Sequence, residues 1–191
     1  MTGAMAAHRQ QAPRFTQVPP RIPRDPKAQD HGWPDRWPFR TQLELAALDT
    51  APGCARAHAR AVLWEWKADD AAADDVLIVV SELVTNAVAA IQKHRRPNPV
   101  RLWMLGDGAS ILFLVWDATM PAPVRDSATP DAEYGRGLAI VEALCVRWGA
   151  YYPDEHPGGK VVWTLMRTAA LSNDATWPRS SGGPSARRAI P

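Results

Sequence analysis

Cysteine is scarce in this chain: Cys54 and Cys145 are the only two among 191 residues. Neither has a second ligand residue at C-x-x-C spacing, which excludes a zinc module and a disulfide framework and fits a reducing compartment. Both read as small packing residues. A charge surplus is lacking too. With 22 Lys and Arg against 20 Asp and Glu, the formal charge is +2. Much of the basic excess falls in the two ends, so no nucleic-acid face is expected on the folded part. The N-terminus has no apolar h-region of signal-peptide type, and no apolar run reaches membrane-span length. The expectation is a soluble, cytoplasmic protein that touches neither nucleic acid nor membrane.

Proline and tryptophan are abundant, at 18 and 9 residues. The prolines concentrate in the ends and in one internal loop. Residues 1–38 hold VPPRIPRDP and two Trp-Pro steps, Trp33-Pro34 and Trp37-Pro38. Such a stretch buries little and breaks helices and ladders, so it reads as a disordered tail whose tryptophans could dock on the domain or on a partner. Residues 168–191 are polar and rich in Pro, Ser and Arg, and read the same way. One domain, 39–167, is left between them. With 46% hydrophobic residues in the chain, it has enough to form a proper core.

The domain is organised around Val76 to Ile91, VLIVVSELVTNAVAAI. Val76, Val79, Val80, Leu83, Val84, Ala87, Val88 and Ile91 recur at the spacing of a helix with one face in a core. On that helix Glu82 and Asn86 are four apart, so their side chains project one turn from each other. Alone, this pair would read as a solvated edge. A carboxylate beside an amide can also hold a hard cation and accept a proton.

Around this helix the other elements follow in order. Phe39 to Ala47 reads as a strand. Pro52 to Trp66 reads as a helix with His58 on its packed stripe. Lys67 to Asp75 is the expected connection. Val100 to Leu105 and Ile111 to Asp117 are two strands about the turn Gly106-Asp107-Gly108. The second is apolar on both faces, hence central, and ends in an acid, Asp117. Ala118 to Tyr134 is a long loop without periodicity. Gly135-Arg136-Gly137 opens a helix with Leu138, Val141, Leu144, Cys145 and Trp148 inward and Gly149 as its C-terminal cap. Ala150 to Tyr152 and Val161 to Met166 are two more strands, joined by a turn over Pro153 to Lys160.

Three separated pieces then line up. Glu82 and Asn86 sit on a helix, Asp117 ends a buried strand, and Gly135-Arg136-Gly137 begins a helix. A glycine-led helix start suits phosphate, and a strand-end carboxylate can accept from an exocyclic amine. These are the parts of an ATP site. SELVTNAV, Asp117, GRGLAIVEAL and GGKVVWTLM resemble, in this order, the N box, the G1 aspartate, the G2 box and the last strand of the GHKL ATPase superfamily. The resemblance is greatest to anti-sigma-factor serine/threonine kinases of the RsbW and SpoIIAB type. It implies an α+β sandwich of the Bergerat type, with helices on one face of a mixed, largely antiparallel sheet. It further implies ATP and Mg²⁺ as cofactors. Asn86 would hold the metal and Glu82 would be the general base. Asp117 would bind the adenine amine, with Gly135, Arg136, Gly137 and Leu138 at the nucleotide. The implied partners are an anti-sigma-factor antagonist, a sigma factor, or a second copy in a homodimer. Two positions depart from the pattern. Ala118-Thr119-Met120-Pro121 follows Asp117 in place of a glycine-bearing turn, and Ala90 stands where the kinases often have histidine. The alternative is a module that binds nucleotide, or none, and regulates a partner by binding alone.

Overall fold

A computed structural model describes residues 37–94, 98–119, 136–153, 159–169 and 171–172. In chain order these form β1 (Phe39–Ala46), α1 (Ala51–Glu65), α2 (Asp70–Lys93), β2 (Pro99–Gly106), β3 (Ser110–Asp117), α3 (Arg136–Leu144), β4 (Arg147–Tyr151) and β5 (Lys160–Arg167). The strands form one sheet in the order β1-β2-β3-β5-β4. The expected α+β architecture holds. The sheet, expected to be largely antiparallel, is antiparallel at every described pairing. β3 is central, as its two apolar faces require.

Two element boundaries differ from the sequence reading. The helix carrying Glu82 starts at Asp70, so most of the expected connection Lys67 to Asp75 is helical. Ala71 to Ala73 are the best helix formers, and Asp69 caps them by accepting from the Ala72 N–H at 2.9 Å. The connection stays short because α1 closes on a Schellman turn. Ala68 N–H bonds Leu63 C=O, Lys67 N–H bonds Trp64 C=O, and Lys67 takes φ 52°. The second difference concerns α3, which ends at Leu144. Trp148 and Gly149, expected as its inward face and its cap, belong to β4. Directly after the helix, Val146 N–H bonds Leu165 C=O and draws the chain into the sheet. Gly149 instead makes room for an indole: a Cβ there would stand 3.0 Å from Trp163 Nε1.

Strand alternation sorts the core into two layers. Ile111, Phe113 and Val115 point to the helices and pack with Val76, Val80, Leu83, Val84 and Ala87 of α2. Trp103, Leu112, Leu114, Trp116 and Trp163 form a second cluster on the other face. Trp37 joins that second cluster at 2% exposure, and Leu171 joins the first at 8%. Both lie just outside the 39–167 bounds read from the sequence. Trp37→Ala is expected to cost about 3 kcal/mol and Leu171→Ala about 2 kcal/mol in urea unfolding. An unchanged midpoint for Trp37→Ala would remove Trp37 from the folded unit. Among the described residues no helix is long and apolar enough to cross a membrane.

Candidate functional site

The site starts on α2. Its inward stripe leaves Glu82 and Asn86 half-buried along one edge, one turn apart. The first turn of α3 seats directly on them. A Cβ added at Gly137 would collide with the Glu82 carboxylate Oε2 and stand 3.6 Å from Asn86 Nδ2. Only glycine lets the helix start approach so closely. Glu82 thus lies at the positive end of α3, where unpaired N–H groups and the helix dipole favour an anion. Asn86 Nδ2 is fully buried and has no hydrogen-bond partner among the described residues. A buried amide left unmatched is costly, and a bound group commonly supplies the match.

Asp117 forms the second part. It continues the inward set Ile111, Phe113, Val115, so its side chain lies on the helix side of the sheet. Its register partner on β5 is Lys160. Asp117 Oδ1 accepts from Thr119 N–H at 2.9 Å, from the Thr119 hydroxyl and from Lys160 Nζ at 2.8 Å. Oδ2 also accepts from Lys160 at 2.8 Å, and Lys160 donates to Thr119 Oγ1 at 2.6 Å. All three residues are buried. Gly159 precedes Lys160 at φ +112°, where an added Cβ would collide with Trp116 and the Asp117 carbonyl.

The structure therefore joins Glu82, Asn86 and Gly137 at one junction and seals Asp117 with a cation. Leu138 is buried at 6% exposure. Arg136 is the first residue of α3. Gly135 and the loop from Met120 to Tyr134 lie outside the described residues, as does the turn over residues 154–158. The sequence reading missed Lys160 and Thr119. Lys160 was assigned to a turn, although it is in phase with the inward residues Val162 and Met166 and so belongs to their face.

The other polar features have structural roles. His58 lies 3.3 Å from Thr41 Oγ1, and burial lowers its pKa. It is a packed histidine, as its place on the stripe suggested. The Ala72 and Ala169 N–H groups hold the Asp69 carboxyl below its ordinary pKa, with help from the Thr168 hydroxyl. Because that pKa is depressed on folding, the cap's contribution is present above the ordinary carboxylate range and lost as pH falls through the folded value. Burial pushes the Cys145 thiol up to about 12, so it is inert at neutral pH. Among the described residues no cluster of three His, Cys, Asp or Glu could hold a metal. A cavity of about 660 Å³ lies between the start of α1 and α2, lined by Thr50, Arg56, Thr85 and Gln92 among others. It includes neither Glu82 nor Asn86.

No curated protein matches the chain. Among solved structures it is similar to the RsbU and RsbW domains of Rv1364c from Mycobacterium tuberculosis. The TM-score is 0.51 and the identity 23%, over 70% of this chain and 33% of that one. The chain thus spans about a third of the length of that solved chain, and the likeness is one of fold. The model of the histidine kinase-like ATPase domain matches residues 45–166, well over half of the chain, and the chain belongs to that family.

Proposed function

We propose that this protein binds ATP with Mg²⁺ between α2, the start of α3 and the β3–β5 seam. We infer that it uses the site as a cytoplasmic serine/threonine kinase and anti-sigma factor, phosphorylating an anti-sigma-factor antagonist. The observation that carries the reading is the buried Asn86 Nδ2, without a partner among the described residues, beside Glu82 and under Gly137 in the first turn of α3. Membership of the ATPase family and the RsbW-domain likeness support it.

The residues fit Mg²⁺ as far as their chemistry goes. A single amide oxygen is a hard donor, and Mg²⁺ is usually held by one or two protein ligands together with phosphate oxygens and water rather than by an all-protein cage. When bound, the ion would neutralise phosphate charge. Asn86 would hold it, and α3 would present its first N–H groups to the phosphates. Asp117 would accept from the adenine amine. Glu82 would take the proton from the attacking serine hydroxyl. Phosphoryl transfer asks for positioning and charge neutralisation more than for covalent help, so so small a set can suffice. Sigma-factor binding and phosphorylation would compete for one surface and thereby set transcription.

Calorimetry tests the binding step. Saturable heat that requires Mg²⁺ is expected with ATP, and Asp117→Asn should weaken it by about tenfold, the worth of one charge-assisted hydrogen bond. No binding at millimolar ATP would sink the nucleotide reading. A partner-only regulatory module would then take its place. The ion pair that occupies Asp117 is the feature that favours this second reading.

A further inference from the structure

We propose that Lys160 caps the base-reading carboxylate from within, so that a nucleotide base reaches Asp117 only by displacing the Lys160 ammonium. This rests on the reading of Asp117 as the acceptor for the adenine amine.

The donor and acceptor count carries the inference. A carboxylate offers about four acceptor positions and an ammonium three protons. Asp117 receives the Thr119 N–H, the Thr119 hydroxyl and Lys160 on Oδ1, and Lys160 again on Oδ2. Lys160 in turn spends its protons on the two carboxylate oxygens and on Thr119 Oγ1. Among the described residues three donors crowd Oδ1, and Lys160 also covers Oδ2, so the ammonium engages both carboxylate oxygens.

The arrangement is built into the sheet. Asp117 and Lys160 are register partners, their side chains are 1% and 5% exposed, and both lie on the helix side. Two charges are kept at such depth only while they remain paired. An adenine amine is a neutral donor. Replacing a charged donor with it exchanges a stronger hydrogen bond for a weaker one and leaves the ammonium to find another acceptor. Lys160 therefore holds adenine-nucleotide affinity down.

The test uses the full chain with Lys160→Met, similar in length and without donors, and Lys160→Gln, which keeps a neutral donor. Mg²⁺-ATP affinity is measured by calorimetry at neutral pH, and melting is followed with and without ATP. Both variants should bind ATP on the order of tenfold tighter than wild type. Lys160→Met should melt lower without ATP and recover when ATP is added. If Lys160→Met does not fold, Lys160→Gln decides. Variants that bind no tighter than wild type overturn the cap and leave the nucleotide reading standing. If neither wild type nor variants bind at millimolar ATP, the cap and the nucleotide reading fall together.

Discussion

Asn86→Ala is expected to lower Mg²⁺-ATP affinity by about 100-fold while leaving the protein as stable as wild type or slightly more so. The two halves follow from one observation. The Nδ2 donor is buried without a partner among the described residues, so removing it relieves a desolvation cost and breaks no described hydrogen bond of that atom. Loss of function without loss of stability is the mark of a residue kept for a ligand. Its neighbour should behave otherwise. Glu82→Ala should leave ATP affinity nearly intact and slow phosphotransfer to a serine-bearing antagonist by on the order of 10²–10⁴-fold, the usual worth of a positioned base. The helix should tolerate the change, because alanine is the better helix former and the inward stripe is untouched. The measurement is paired: ATP binding and phosphotransfer for both variants, with melting as control. Wild-type transfer by Glu82→Ala would strip Glu82 of its role. A melting temperature that collapses in Asn86→Ala would make Asn86 a structural residue.

Gly159→Ala is expected to destabilise the fold by roughly 2–4 kcal/mol, a melting shift on the order of 10 °C. Two costs combine. At φ +112° an L side chain is strained wherever it points. The added Cβ would also stand 2.6 Å from Trp116 Nε1 and 2.8 Å from the Asp117 carbonyl oxygen. An indole in a packed cluster and a strand backbone cannot step aside cheaply. Gly137→Ala makes the contrast. Its Cβ would meet the far end of the Glu82 side chain, which can rotate away, so stability should change little while the placement of the carboxylate is lost. Thermal melts of the two variants check this. Equal shifts would mean that the two glycines do not differ as their neighbours suggest.

The central position of β3 was legible because Ile111 to Trp116 is apolar at every position, a pattern that only a strand covered on both faces can afford. The face of α2 was legible from its period, and with it Glu82 and Asn86. The start of α2 was hidden, because the acids around Ala71 to Ala73 look equally like a loop until Asp69 is seen to cap them. The end of α3 was hidden for another reason. Leu144, Cys145 and Trp148 keep helical spacing, yet pairing with β5 prevailed over local pattern. Lys160 was the largest omission. Its partner lies 43 residues earlier, and no local periodicity reports a contact of that range.

That separation has a consequence for how the site comes into being. β2 with β3, and β4 with β5, are neighbours in both sequence and space, whereas β3 meets β5 only after α3 and β4 have intervened in the chain. Asp117 and Lys160 face each other at the seam between these two hairpins. While the seam is open, each charge stands in water at little cost. When it closes, both are dehydrated together, and the charge of one is what makes burial of the other tolerable. Carboxylate and ammonium thus act as a matched latch: the zipper between the two halves of the sheet closes over both or over neither.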